Sequence, residues 1–335
     1  MLRSRGSHTL RSTFHIVPML SRAKHTPVGS GFKENLTGRV NTGFSVRDSD
    51  VFQNSMHEYR MVRRYQGKIK GVILDWAGTV VDCGVYSPVV VFVEGFKKEG
   101  VPITMEEARG NMGTHKKVHL RKITQLSSVR DRWKAKFGRY PNEADVERMF
   151  SQFVPMQLAV LPQYTDMITG VVDTVNHLRN NGLKIGSTTG FTSPMVEILK
   201  KAAAKNGYVP DCYVCADEVP QARPFPYMVW KNAISLDISP IAAIVKVDDT
   251  ADGVREGLTA GCWSVGLART GNYMGMNEKE LVDMERNDPE QYHRLMANAY
   301  EMLSNAGAHY IIDDLNGLPR VIDDINRRLA QGEVP

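Results

Sequence analysis

An apolar run that stops at a single carboxylate is the feature of this chain that most constrains its fold. Residues 70–79 read KGVILDWAGT, so a short apolar segment ends at Asp75 and a glycine follows at position 78. Such a run is typical of a buried parallel strand, and open α/β sheets bind ligands at the carboxyl ends of these strands. We therefore expect Asp75 to be a nucleophile or a metal ligand at a sheet edge. On this segment alone, an aspartate that caps a following helix is an equally good interpretation.

Two more apolar segments end in groups that suit a phosphate and a cation. Residues 183–190 read LKIGSTTG, and the final Thr189 and Gly190 offer donors to phosphoryl oxygens. Residues 241–250 read IAAIVKVDDT and contain the acid pair Asp248 and Asp249. Between these two segments, Arg223 supplies a permanent cation with forked donors.

The order of these groups along the chain predicts a reaction type. A nucleophilic aspartate, a phosphate cradle, an arginine and a distal acid pair describe a Mg²⁺-dependent phosphoryl-transfer site. The same order resembles the four motifs of the haloacid dehalogenase superfamily. The resemblance implies an α/β fold, a doubly wound parallel sheet with a small helical cap domain inserted between the first and second motifs.

Position 77 departs from the phosphatases and mutases of that superfamily. Those enzymes place a second aspartate two residues after the nucleophile, where it protonates the leaving oxygen, and this chain has Ala77 there. A site without that acid needs another way to activate its leaving group. A Mg²⁺-dependent phosphatase or phosphomutase therefore stays as an alternative, together with a catalytically silent, cap-bearing binding protein.

A further motif lies in the region of the expected cap. Residues 110–119 read GNMGTHKKVH, so Met112 and Gly113 are followed by Lys116 and His119. Together with residues 75–79, this motif resembles the phosphonoacetaldehyde hydrolase family. The resemblance extends from about residue 70 to about residue 326 and includes the four motifs and the segment GCWSVG at residues 261–266.

The resemblance implies a reaction and assigns roles in it. Members of this family cleave the P–C bond of phosphonoacetaldehyde, which gives acetaldehyde and phosphate, and they use a lysine Schiff base as an electron sink. By this resemblance Lys116 forms the imine, Asp75 attacks phosphorus and becomes an aspartyl phosphate, and His119 shuttles protons. The expected substrate- and phosphate-binding residues are Met112, Gly113, Thr189, Gly190 and Arg223.

Simpler interpretations of the lysine motif remain open. Cationic side chains crowd Lys116, so the segment also fits a solvated basic helix face. If the segment is helical, Lys116 and His119 share one face, although a surface histidine fits the same spacing. Met112 fits ordinary apolar packing equally well. An imine requires a neutral amine, and like charges together with burial under a cap both lower the pKa of a lysine.

The resemblance also implies a Mg²⁺ ion held by oxygen atoms. The expected metal ligands are Asp75, Ala77 through its backbone carbonyl, and Asp249. Many relatives in the superfamily carry a further acid in the last motif, where this chain has Gly253. Asp248 or Asp252 is expected to take over that role, and the sequence does not decide between them.

Two other positions differ from some members of the family. Phe191 follows Gly190 where some relatives have tyrosine, and Val85 stands where some have cysteine. Roles of that phenol or that thiol therefore do not transfer to this chain.

Residues 86–165 are predicted to form the all-helical cap. Ser87, with a proline after it, begins a capped amphipathic helix. Thr104 and Glu107 make a capping-box signal for the next helix. A long helix from residue 143 to about residue 161 closes the region.

The rest of the chain after residue 66 predicts the α/β core, which comprises residues 67–85 and 166–335. Helices and strands alternate after residue 165, as they do in a doubly wound parallel sheet. Near the end of the core, a single helix is expected over residues 277–305.

The N-terminal segment has a different composition. Residues 1–33 contain no aspartate or glutamate but several arginines, which is similar to a mitochondrial transit peptide. A basic arm that binds nucleic acid is the rival interpretation, but interleaved aromatic residues and an extended charge stripe are missing. We therefore expect a mitochondrial location, with the cytoplasm as the alternative. Residues 34–66 are expected to be a linker or an added N-terminal helix.

Composition excludes several other classes. No apolar run reaches the roughly 18 residues that span a bilayer, and a net charge of +5 does not argue for a polyanionic partner. Four cysteines do not make a disulfide framework in 335 residues, and Cys212-x-x-Cys215 lacks a second ligand pair. We expect a small-molecule substrate, no nucleic acid and no membrane. The family resemblance adds a homodimer that associates through the caps.

Overall fold

Six parallel strands form one sheet in the part of the chain that the structure describes, residues 64–335 of a computed structural model. The strands are β1 (Gly71–Leu74), β2 (Lys184–Thr189), β3 (Cys212–Cys215), β4 (Ile244–Asp248), β5 (Trp263–Leu267) and β6 (Tyr310–Ile312). Their order across the sheet is β3-β2-β1-β4-β5-β6, which confirms the predicted doubly wound sheet. The expectations for residues 1–33, and for nearly all of residues 34–66, lie outside the described residues.

Strand β1 lies in the middle of the sheet, and its register decides where the next residue lies. All four of its residues are buried, as expected for a parallel strand. Leu74 pairs with Ser187 of β2 and with Val247 of β4. Because these strands are parallel, the residues that follow them reach the same edge. The strand order changes direction between β1 and β4, which is where doubly wound sheets bind ligands.

The helices of the core alternate with the strands. They are α6 (Val171–Asn180), α7 (Ser193–Lys205), α8 (Tyr227–Ser235), α9 (Ala251–Ala260), α10 (Glu278–Asn287), α11 (Pro289–Asn305) and α12 (Leu318–Ala330). Val72 and Leu74 of β1 belong to one buried apolar cluster and Ile73 to a second. Since successive side chains of a strand point to opposite faces, the two clusters cover the two faces of the sheet. None of the described helices combines the length and the apolar character that crossing a bilayer requires.

The prediction of a single helix over residues 277–305 was wrong, because two helices occupy this stretch. Helix α10 ends at Asn287 and α11 begins at Pro289. Between them, the Asp288 side chain accepts a hydrogen bond from the backbone N–H of Gln291 and so begins the new helix. Proline lacks the N–H that would continue a helix and is favoured at a first helical position. Helix α12 lies beyond the helices that the sequence pattern predicts.

The segment between β1 and α6 is helical, as predicted, and we call residues 86–160 the helical insertion. Its helices are α1 (Tyr86–Lys98), α2 (Met105–Arg109), α3 (Lys116–Thr124), α4 (Ser127–Phe137) and α5 (Glu143–Val160). Both α1 and α3 pack against the long helix α5. Helix α2 begins with the predicted capping box, in which Thr104 and Glu107 exchange hydrogen bonds with each other's backbone. The division into a cap domain and a core domain stays a prediction.

Helix α1 does not begin with the predicted Ser87 cap. Its first turn is capped by the carboxylate of Asp82, which accepts hydrogen bonds from the backbone N–H groups of Tyr86 and Ser87. The Ser87 hydroxyl is buried and accepts a hydrogen bond from Gln157 of α5. The serine was misread because its partner is distant in the sequence, whereas a capping pattern considers only close neighbours.

Candidate active site

Three carboxylates meet at the edge of the sheet where β1 and β4 end. Asp75 follows β1 directly, Asp248 is the last residue of β4, and Asp249 comes next. All three are buried, and each offers a carboxylate oxygen that lies within 4.8 Å of the others. The parallel register of the two strands therefore brings together acids that are more than 170 residues apart in the chain.

Arg223 lies fully buried among these acids. Its Nη2 atom donates to Asp75 Oδ1 at 2.6 Å and lies 3.1 Å from Asp248 Oδ2. Its Nε atom donates to Glu256 Oε2 at 3.0 Å. Burial opposes the charge of Arg223, but the surrounding acids outweigh burial and hold its pKa well above the ordinary value. The predicted phosphate-binding cation is thus held by the acids of the protein itself.

Asp248 has partners for both of its carboxylate oxygens. Oδ2 accepts from Lys246 Nζ at 2.6 Å, and Oδ1 accepts from the Thr250 hydroxyl at 2.6 Å. Burial alone would raise the pKa of Asp248, but Arg223 and Lys246 outweigh it and hold the pKa below the ordinary value. A Cβ atom at Gly253 would overlap this carboxyl group. Asp248 therefore occupies the space that a larger side chain at position 253 would need.

Asp249 has one carboxylate oxygen without a hydrogen-bond partner in the described part of the chain. Its Oδ2 atom accepts from the backbone N–H of Asn272 at 2.8 Å, whereas Oδ1 is buried without a hydrogen-bond partner. Burial, and then the charges of Asp248 and Asp75, raise the pKa of Asp249 well above its ordinary value. A buried oxygen without a donor is costly unless a cation or a proton compensates it.

Asp252 does not join the three acids. It lies on α9 and pairs with Lys122 of the helical insertion at 3.4 Å and with Arg255 at 3.2 Å. Of the two aspartates that the sequence left open for the outer acid, only Asp248 belongs to the cluster.

Lys116 begins helix α3 and is only 4% exposed. Its Nζ atom lies 4.0 Å from the sulfur of Met112 and 4.7 Å from the ring centroid of Phe191. Burial lowers the pKa of Lys116 to about 8, although the negative charge of Asp75 opposes this shift. The interpretation of Lys116 as part of a solvated basic face is wrong, because the amine is buried against apolar groups.

One pocket contains the amine of Lys116 together with the groups at the sheet edge. The residues that line it are Asp75, Ala77, Val85, Met112, Gly113, Lys116, Thr189, Gly190, Phe191, Arg223 and Thr250. Gly190 allows the close approach, since a Cβ atom there would lie 2.9 Å from the carbonyl oxygen of Gly113. All five predicted substrate- and phosphate-binding residues therefore line the same pocket as Asp75 and Lys116.

His119 lies beside the pocket, inside the helical insertion. Its ring is fully buried, with its centroid 4.2 Å from that of Phe92. No side chain of the described residues bonds either ring nitrogen, and the backbone of Ala108 is the polar group that favours the protonated ring. Burial, and then the charge of Lys116, lower the pKa of His119 well below its ordinary value, so the ring is neutral. It shares α3 with Lys116 but does not line the pocket.

Three residues of the site were missed by the sequence analysis, namely Lys246, Glu256 and Asn272. Lys246 carried a signal, because it is a charged residue within an otherwise apolar strand. Glu256 and Asn272 carried none, because each reaches the site only through packing. Both side chains are buried. Glu256 accepts a hydrogen bond from Arg223, and the backbone N–H of Asn272 donates to Asp249.

A family model for haloacid dehalogenase-like hydrolases matches residues 69–261, which include the three acids and Lys116. A phosphonoacetaldehyde hydrolase-like protein of Syntrophobacter fumaroxidans is 47% identical over 272 residues, covering 81% of this chain and 97% of the relative. A phosphonoacetaldehyde hydrolase of Klebsiella pneumoniae is 45% identical over 270 residues, with 80% and 99% covered.

A solved structure is similar to this chain over a comparable share of its length. The phosphonoacetaldehyde hydrolase like protein from Oleispira antarctica superposes with a TM-score of 0.78 at 38% identity, covering 81% of this chain and 98% of that one. The chain therefore belongs to the haloacid dehalogenase-like hydrolases and, within them, to the phosphonoacetaldehyde hydrolase family. This confirms the resemblance drawn from the motifs.

The packing of Gly253 leads to a prediction about stability. Replacing glycine by alanine inside a helix normally stabilises it by up to about 1 kcal/mol. At Gly253 we expect the opposite, a loss of about 1–3 kcal/mol, since the added methyl must displace Asp248. Urea unfolding of Gly253→Ala measures the change.

Gly95→Ala is the matched control, because no atom lies within 4 Å of a Cβ placed at this position in α1. It should keep or raise the free energy of unfolding. Equal stability of the two variants would contradict the assignment of Asp248 to the space beside position 253.

Proposed function

We propose that this chain hydrolyses the P–C bond of phosphonoacetaldehyde and releases acetaldehyde and phosphate. Its phosphonoacetaldehyde hydrolase relatives support the substrate. The single observation that carries the proposal is the buried amine of Lys116, with a pKa of about 8, in the same pocket as Asp75. The pocket has Ala77 where an ordinary phosphatase of the superfamily would need an acid.

Cleavage of a P–C bond requires a place for the bonding electrons. An ester oxygen leaves readily once it is protonated, but a departing carbon would become an unstabilised carbanion. Condensation of the neighbouring aldehyde with an amine gives an imine, which accepts the electron pair and becomes an enamine. A lysine can do this only when it is neutral, and the burial of Lys116 favours the neutral form.

The proposed reaction passes through two covalent intermediates, an imine on Lys116 and an aspartyl phosphate on Asp75. Neutral Lys116 condenses with the aldehyde and water departs. An Asp75 oxygen then attacks phosphorus, the P–C bond breaks, and its electrons form the enamine. Protonation of the enamine and hydrolysis of the imine release acetaldehyde, while water hydrolyses the aspartyl phosphate. Arg223 orients Asp75 by holding Oδ1, so Oδ2 is the oxygen that is free to attack.

His119 is proposed to carry protons during imine formation and hydrolysis. It is neutral and lies three residues after Lys116 on α3, so it can accept or donate a proton. No side chain within the described chain competes for its ring nitrogens. Since the ring is buried beside Phe92, we expect one bound water to connect it to the amine.

The acid cluster fits a Mg²⁺ ion, which prefers a few oxygen ligands. Asp249 would provide the unpartnered Oδ1, Asp75 a second carboxylate oxygen and Ala77 its backbone carbonyl. Asp248 would not contact the ion directly but would lie behind its ligands, because Lys246 and Thr250 already donate to its two carboxylate oxygens. When bound, the ion would offset the negative charge of the phosphonate and the acids at the nucleophile.

Reductive trapping tests the imine. With phosphonoacetaldehyde, Mg²⁺ and borohydride, the wild-type chain should gain a stable adduct on Lys116, located by peptide mass spectrometry. Lys116→Arg keeps the positive charge but cannot form an imine. We expect it to lose the adduct and roughly 10³-fold or more of the turnover.

Asp75→Asn is the complementary variant. It lacks the nucleophile but keeps the amine, so it should form the adduct without releasing phosphate. Full turnover by Lys116→Arg would remove the imine from the mechanism. Release of phosphate from phosphate esters without any adduct would instead favour a phosphatase.

The rate of trapping should depend on pH through Lys116. Because only the neutral amine condenses, the initial rate of imine formation, measured by quenching timed samples with borohydride, should rise with pH and level off above about 8. The negative charge of Asp75 stabilises the charged amine, so Asp75→Asn should move the midpoint to lower pH. A midpoint near the ordinary lysine value of about 10.4 would contradict the role of burial.

Two expectations beyond the site stay predictions, a homodimer and a mitochondrial targeting segment in residues 1–33. The basic, acid-free composition supports the second. A fluorescent reporter fused to residues 1–33 should enter mitochondria, whereas the same fusion with its arginines changed to glutamine should stay in the cytoplasm. Cytoplasmic fluorescence of both fusions would exclude targeting.

A further inference from the structure

The loop between β5 and α10 lies between the acid cluster and the helical insertion. It spans residues 268–277, and none of the sequence motifs includes it. Asn272 is at its centre and is only 3% exposed. A buried asparagine must find partners for its amide, and those partners lie on both sides of the loop.

On one side, the loop holds the segment that follows β4. The backbone N–H of Asn272 donates to Asp249 Oδ2 at 2.8 Å. The hydroxyl of Tyr273 accepts from the backbone N–H of Ala251 at 3.1 Å. Gly271 allows this approach, because a Cβ atom there would overlap the side chain of Asp249. The position of the loop therefore decides the direction of the Asp249 carboxylate.

On the other side, the loop is held by Arg109, the last residue of α2. Arg109 Nη1 lies 3.5 Å from both the carbonyl and the Oδ1 atom of Asn272, and Nη2 donates to the carbonyl of Gly275 at 3.3 Å. In return, Asn272 Nδ2 donates to the carbonyl of Arg109 at 3.2 Å. The two Nη atoms of the guanidinium thus contact the loop at two of its residues, Asn272 and Gly275.

The same guanidinium also donates to the carbonyl of Gly84, which lies in the chain between β1 and α1. Arg109 therefore joins the helical insertion to two segments of the core at once. Its acceptors here are backbone and amide oxygens, whose directions are fixed, so the contact constrains position more narrowly than a surface ion pair does.

We propose that Asn272 is a positioning residue that joins Arg109 of the helical insertion to Asp249, so that the seating of the insertion on the core sets the metal-binding direction of this carboxylate. This inference rests on the proposed Mg²⁺ site. It gives a role to the hydrogen bond from the backbone N–H of Asn272, which fixes Oδ2 of Asp249 and leaves Oδ1 for the cation.

The side chain of Asn272 separates this role from direct contact with Asp249. Asn272→Ala removes the amide that Arg109 contacts but keeps the backbone N–H that donates to Asp249. A loss of Mg²⁺ affinity in this variant therefore has to arise from displacement of the loop. Arg109→Gln acts from the other end. It removes the guanidinium that contacts the carbonyls of Asn272 and Gly275, but it keeps the Arg109 carbonyl that accepts from Asn272 Nδ2.

Isothermal titration of Mg²⁺ into the substrate-free chain tests the link. Asn272→Ala and Arg109→Gln should each weaken Mg²⁺ binding about 10-fold, as is typical for residues behind a metal ligand. The double variant should bind Mg²⁺ more weakly than either single one, but by less than the product of the two losses, because both changes loosen the same loop against the helical insertion. At saturating Mg²⁺, the turnover of Asn272→Ala should return toward that of wild type.

Arg148→Gln is the matched control, since Arg148 pairs with Glu99 entirely within the helical insertion. It should leave Mg²⁺ affinity unchanged. If Asn272→Ala does not fold, Arg109→Lys replaces it, because lysine keeps the charge but reaches fewer acceptors and should give an intermediate loss.

Three outcomes would overturn the inference. The first is unchanged affinity in both single variants, and the second is multiplicative losses in the double variant, which would mean two independent effects. The third is the absence of Mg²⁺ binding by the wild-type chain, which would also overturn the metal site. All three outcomes are read from Mg²⁺ titrations without phosphonoacetaldehyde, so they are distinct from a failure of the proposed reaction.

Discussion

The ion cluster around Arg223 is the constraint on which the rest of the site depends. A single buried guanidinium contacts Asp75, Asp248 and Glu256, which lie directly after β1, at the end of β4 and on α9. Removing one partner from such a cluster typically costs about 3–5 kcal/mol, because an uncompensated charge stays buried. The cluster therefore ties the nucleophile to one register of the sheet. It also leaves Asp249 as the acid whose charge the described protein groups do not neutralise.

The side of the pocket that carries Lys116 is apolar, in contrast to the charged ion cluster at the sheet edge. The ion cluster keeps the core side of the pocket charged, whereas Met112 of the insertion, together with Phe191 after β2, places apolar atoms beside the Lys116 amine. Burial favours a neutral amine, and the charge of Asp75 opposes it, so the pKa of about 8 reflects a balance. In the proposed reaction this balance suits two roles, since the amine must be neutral to condense and must then be protonated easily as an imine.

Much of this arrangement could be predicted because its signals are local. Apolar runs that end at Asp75, Thr189 and Asp248 predict strand ends, and parallel pairing brings such ends to one edge. Elements defined by distant partners were missed or misread. Ser87 looked like a helix cap but bonds to Gln157, 70 residues away. Residues 277–305 were assigned to one helix, although Pro289 starts a second helix directly after Asp288.

The sequence by itself determined which chemical groups the site contains and in what order they occur, since residue type and strand periodicity are properties of short segments. Tertiary structure alone decided how these groups behave. Arg223 was expected to hold a phosphate but is held by acids, and Lys116 was compatible with a solvated helix face but is buried. Asn272 reached the site only because its loop packs against Asp249 on one side and Arg109 of the helical insertion on the other. Charge state and partner choice depend on burial and on distances between remote segments, and no local pattern records these.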